Sequence, residues 1–122
     1  MLLGETKKRG IFMTYQEYFE SVKKEFEGAD VSDIREHLAY QFNVIGDEGA
    51  GIFYVEVKDG KLFIEPYEYY DRDAIFIATA DTFTAIMNGK MDPVWAFTIR
   101  KLKVEGNIEK ALKLKDLISR KK

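Results

Sequence analysis

One histidine, three serines and no cysteine are what this chain offers for nucleophilic or acid–base work. His37 is the lone imidazole, and as a general base it would need an orienting partner. No neighbour in its stretch, Ile34-Arg35-Glu36-His37, supplies one in an obvious pattern. Ser21, Ser32 and Ser119 fall on predicted helices or caps rather than on a strained elbow. The acid pairs Asp71/Asp73 and Asp47/Glu48 sit at turns, where carboxylates are usually solvated. Gly46–Gly51 is rich in glycine, but a phosphate cradle needs a helix behind it, and Ile52–Val57 alternates like a strand. Zinc and triad chemistry lack their ligands, so no catalytic residue, metal site or cofactor site is assigned.

The elements that would position any site are legible from periodicity. Thr14-x-x-Glu17 is a capping box that opens a helix over 14–28, with Tyr15, Tyr18, Phe19, Val22 and Phe26 on one stripe. Asp30 or Ser32 is expected to cap a short helix through His37. Strands are expected over 38–46, 52–58 and 61–69. Asp59-Gly60 forms a hairpin turn between the last two, and Pro66 marks an edge or bulge. The run Ala74–Thr79 is apolar on both faces and predicts a strand covered on both sides. A helix over 81–89, capped by Asp81 or Thr82, stops at Asn88-Gly89. Asp92-Pro93 starts another over 92–98, and a strand near 101–105 leads through Gly106-Asn107 into a last helix over 107–120.

At 122 residues, 46% of them hydrophobic, the chain suits one domain with a real core. Aromatics at 14% are high enough to fill that core or to line a ligand cavity. No apolar run is long enough to span a bilayer, and Met1–Gly4 is too short for a signal-peptide core. A cytoplasmic protein is expected, and the high Lys/Glu content without cysteine fits a thermophilic prokaryote. Residues 1–12 read as an N-terminal extension to a domain over 13–122, with Met13 as an alternative start. Residues 1–80 carry a net charge of −7, whereas 81–122 carry +5. The basic third is either a face for anionic head groups or a solvated last helix. A sequence pI near 5.5 argues against nucleic acid.

The segment IMNGKMDPVWAFTIRKLKVEGNIEKALKL resembles the sterol carrier protein-2 family. The likeness lies in the serial order: helix ending in Gly-Lys, Asp-Pro corner, aromatic segment, short strand, C-terminal helix. The resemblance implies an α+β fold, with a five-stranded, mainly antiparallel sheet covered by helices and an apolar cavity between them. It implies a non-catalytic lipid-binding or lipid-transfer domain for a fatty acyl or similar chain. The expected cavity lies between the sheet and the helix at 81–89. Its wall would be Phe76, Phe83, Met87, Trp95, Phe97 and Leu102. Its head-group rim would be Lys90, Arg100, Lys101 and Lys103. A transient anionic membrane surface and a homodimer are the further partners considered. A protein-interaction module or a small-molecule enzyme remains the alternative.

Overall fold

The computed structural model describes residues 14–46 and 50–121. The N-terminal extension, Met13 and the Asp47/Glu48 pair lie outside the described residues. Helix α1 (Tyr15–Phe26) begins at the capping box: Thr14 Oγ1 accepts from the Glu17 amide, and Glu17 Oε1 accepts from the Thr14 amide. The strands are β1 (Leu38–Ile45), β2 (Gly51–Lys58), β3 (Lys61–Glu65), β4 (Ala74–Thr79) and β5 (Lys103–Gly106). Between β4 and β5 lie α2 (Ala80–Met87) and α3 (Pro93–Thr98), and α4 (Ile108–Leu112) and α5 (Leu114–Ser119) close the chain.

The sheet order is β3-β2-β1-β4-β5. Three of its four pairings are antiparallel, and β1 runs parallel to β4 with Phe42 opposite Phe76. Alternation along the strands puts Tyr40, Phe42, Phe53, Val55, Val57 and Phe76 on one face, all buried. Their rings form a continuous block. Phe42 lies 5.0 Å from Phe53, 5.3 Å from Phe76 and 5.4 Å from Phe83 of α2. Phe19 of α1 closes it against Phe53 at 5.8 Å. The helices cover this face alone.

Several elements differ from expectation, each for a local reason. The helix expected over 30–37 is a turn. Asp30 Oδ1 accepts from both the amide and the hydroxyl of Ser32, which bends the backbone before a helix can propagate. Helix α2 is capped by Thr79, not by Asp81 or Thr82: the Thr79 hydroxyl accepts from the Thr82 amide. Strand β3 stops at Glu65, because Pro66 cannot extend the ladder. The last helix divides at Lys113 into two short ones.

The covering of the sheet's second face also differs from expectation. Ile75 and Ile77 of β4 are only half-buried, so this strand is covered on one side rather than both. Conversely, β1 is buried on both sides: Ala39 and Gln41 on its second face are as enclosed as its rings. The cause is the segment 66–73, which crosses from β3 to β4 over that face. The Tyr69 amide donates to Gln41 Oε1 there.

Asp73 is a structural hub and not a solvated turn acid. Its carboxylate accepts from the Ala39 amide at 2.8 Å and from Lys110 Nζ at 3.3 Å, while its carbonyl takes the Asn107 amide at 2.8 Å. It thereby ties β1, β4 and the start of α4 together.

Candidate functional site

Two arrangements stand out, one apolar and one titratable. The apolar one is a groove of about 230 Å³, open to solvent along one side. Its floor is Phe76 and Val104, on neighbouring strands β4 and β5 and directly opposite in register. One wall is α3, through Pro93, Val94 and Phe97. The other is α4, through Ile108, Ala111 and Leu112, and Leu102 closes an end. Asp92 caps α3 by accepting from the Val94 amide, and Asn107 caps α4 by accepting from the Lys110 amide. Lys115 is the single charged side chain on the lining. Its ammonium lies 2.8 Å from Asp92 Oδ2, so the pair bridges α5 to the start of α3. That contact, with the Val94 amide second, holds the Asp92 carboxyl below the usual carboxylate range.

The groove is not where the sequence put the cavity. Beside α2 the rings of Phe42, Phe53 and Phe83 pack against one another. Of the six expected wall residues, the structure brings Phe76, Phe97 and Leu102 together on the groove. Phe83 and Met87 are buried in the core under α2, and Trp95 points away from the lining, 57% exposed. The expected rim residues Lys90, Arg100, Lys101 and Lys103 are all exposed and off the lining; Lys103 pairs with Glu105 at 3.3 Å. Sequence reasoning missed Lys115. A signal existed: Ile108, Ala111, Leu112 and Lys115 follow the i, i+3, i+4, i+7 spacing of one helix face.

The titratable cluster lies on the opposite face of the sheet. Glu56 Oε2 is 2.6 Å from His37 Nε2 and accepts from the Tyr69 hydroxyl at 2.6 Å. This corrects the reading of His37 as partnerless: the partner comes from β2, far away in sequence. Among the described residues no serine or threonine hydroxyl bonds to His37. No group of three or more His, Asp or Glu among the described residues is placed to hold a metal ion.

Burial pushes the Glu56 carboxyl up, but the hydrogen bonds from Tyr69 and His37 outweigh it and hold the pKa below the ordinary 4.5. Tyr69 is pushed up to about 12, chiefly by donating to Glu56. Because the Glu56 value is depressed in the fold, its stabilisation is present above pH 4.5 and is lost as pH falls through the folded value. Because the Tyr69 value is raised, its share is full below pH 10.0 and disappears as pH rises towards about 12. Tyr69→Phe should therefore destabilise the domain by about 1.5–3 kcal/mol at neutral pH, the scale of a hydrogen bond to a charged group. It should also flatten the pH dependence at both ends. Thermal unfolding between acid and alkaline pH measures this; a profile parallel to wild type would assign the dependence elsewhere.

An open sheet with helices on one face and an apolar groove under its C-terminal elements defines the sterol-carrier class of fold. The chain belongs to the SCP-2 sterol transfer family, whose model matches residues 19–119. It is 35% identical over 81 residues to hydroxysteroid dehydrogenase-like protein 2 of Mus musculus, covering 66% of this chain and 16% of that protein. It is 40% identical over 63 residues to sterol carrier protein 2 of Homo sapiens, covering 52% of this chain and 12% of that protein. The chain thus spans a small part of the curated relatives it matches. Among solved structures it is similar to a palmitated sterol carrier protein 2-like 2 of Aedes aegypti. That likeness has a TM-score of 0.62 at 19% identity, over 87% of this chain and 95% of that one. At that identity the likeness is one of fold. No described helix is long and apolar enough to cross a membrane.

Proposed function

We propose that this chain is a non-catalytic lipid-binding or lipid-transfer domain that seats a fatty acyl or similar apolar chain in the groove between α3 and α4. The observation that carries the reading is the lining: nine of its ten residues are apolar, and the tenth is Lys115. An acyl tail leaving water for such a surface gains about 25 cal/mol per Å² of apolar area buried. Family membership and the palmitated relative support the same class of ligand.

At about 230 Å³ the groove is smaller than ligand pockets of roughly 300–1,000 Å³. A long tail would enter as α3 moves outward. That helix buries only Ala96 fully, as α4 buries only Ala111, so neither wall is held by more than one fully buried side chain of its own. Lys115 would then exchange Asp92 for a ligand carboxylate.

The test is displacement of a fluorescent fatty acid from the purified chain, in the absence of vesicles. Saturable one-to-one binding is expected. Ala111→Phe fills the groove and should weaken binding at least tenfold while the fold is retained. Lys115→Gln should lower affinity for a fatty acid two- to fivefold, the scale of an exposed ion pair, and leave that for the matching alcohol unchanged. The first effect should shrink with salt. No saturable binding by the wild type, or equal binding by the folded Ala111→Phe variant, would remove the groove from the mechanism.

A further inference from the structure

We infer that the α3 corner is a docking surface for an anionic lipid bilayer, distinct from the groove behind it. Helix α3 has the sequence PVWAFT, yet of its six residues only Ala96 is fully buried. Val94 and Phe97 are about half exposed although they edge the groove. Trp95 and Ile99, four residues apart and so on one side of the turn, are 57% and 38% exposed and lie outside the lining. A tryptophan with an apolar neighbour at a water-facing corner is the pattern that settles at the head-group level of a membrane.

Charge decides the occupant. Lys90 precedes the helix, and Arg100 and Lys101 follow it; all three are exposed, and none forms a salt bridge with a described residue. The one acid in the segment, Asp92, is already engaged by Lys115. Six helical residues span about 9 Å, so the flanking cations act on a common patch within one to two screening lengths. An apolar centre ringed by unpaired positive charge complements anionic lipid. A second copy of the same corner would set like charges against each other.

Arg100 supplies an independent sign. It sits at φ +66°, in the left-handed position that ends α3, with its amide bonded to the Phe97 carbonyl and the Lys101 amide to the Ala96 carbonyl. Glycine is the residue that takes this position without a Cβ penalty. An arginine there works against the fold and sets an exposed cation at the end of the helix that carries Trp95.

The experiment is vesicle co-sedimentation, together with the fluorescence of Trp95, the only tryptophan in the chain. Wild type should bind vesicles containing phosphatidylglycerol, with a blue shift of Trp95, and bind phosphatidylcholine vesicles at least tenfold more weakly. High salt should remove the difference. Arg100→Gly should weaken vesicle binding about fivefold, one cation's share, while raising the thermal midpoint; a merely structural role predicts no change in binding. Trp95→Ala should lose binding at least tenfold by sedimentation. The groove-filled Ala111→Phe variant should still bind vesicles, so failure of this proposal and failure of the groove reading are told apart. Equal binding to both vesicle types, unchanged binding by Arg100→Gly, or a blue shift that follows protein concentration without vesicles would overturn it. The last result would mean that copies of the chain cover the corner instead.

Discussion

Replacing Phe42 by alanine is expected to destabilise the domain by about 3–5 kcal/mol, the range for deleting a buried ring. Phe42 is fully buried on the central strand. It is the ring that touches β2 through Phe53, β4 through Phe76 and α2 through Phe83. Its loss leaves a void bordered by three other rings, each held by a different element, so collapse around it is incomplete. A domain of this size has a total stability of about 5–15 kcal/mol. The variant should therefore unfold at a much lower denaturant concentration, or be unfolded at the temperature where wild type is intact. Urea titration followed by circular dichroism measures the loss. A change below about 1 kcal/mol would mean that the aromatic block is loosely packed and can close over the gap.

Gly106→Ala is expected to cost about 2–6 kcal/mol, from two sources. Gly106 has φ +103°, a conformation in which an alanine is strained by about 1–3 kcal/mol. An added Cβ would also lie 2.6 Å from the Asp73 carbonyl oxygen and 3.0 Å from the Ala74 Cα. Both are backbone atoms and cannot rotate away, so overpacking adds about 1–3 kcal/mol. The clash falls where β5 pairs with β4, Gly106 opposite Ala74, and beside the Asn107 cap of α4. Strand β5 carries Val104 on the groove floor, so fatty acid binding should weaken along with stability. Gly89→Ala is the control. Gly89 has φ +75°, but its Cβ would meet nothing within 4 Å, so only the backbone strain applies. Thermal unfolding of the two variants should separate them by at least about 1 kcal/mol. Equal losses would show that β5 shifts freely away from β4.

These two positions were not equally visible in advance. Phe42 belongs to an alternating run that already marks it as core. Gly106 reads from sequence only as the lead into the last helix; its close approach to Asp73 depends on a strand pairing between residues more than thirty apart. The same division runs through the groove. The Asp92 and Asn107 caps that orient its two walls were readable, because each is a hydrogen bond within three residues. Lys115 was legible on the helical spacing from Ile108, but its pairing with Asp92, the cap of another helix, was not. His37 was read as partnerless because Glu56 reaches it only once β2 has paired with β1.

Local chemistry therefore settled the order of elements. Capping side chains, positive-φ turns and apolar periods act over a few residues, and they place α1, the β1–β2 and β2–β3 hairpins, α2, α3 and the start of α4. The family, too, was legible in serial order alone. Tertiary structure decided two things that local signals do not carry. The 66–73 segment covers the second face of β1 and leaves that of β4 half open, although both strands carry apolar residues there. And of the rings expected to line one cavity, Phe83 packs in the core under α2 and Trp95 faces solvent, while Phe76 and Phe97 border the open groove between α3 and α4. An aromatic residue leaves water, to different degrees, whether it fills a core or borders a groove. Which of the two it does depends on how many other rings reach the same space, and that is set by the packing of elements distant in the chain.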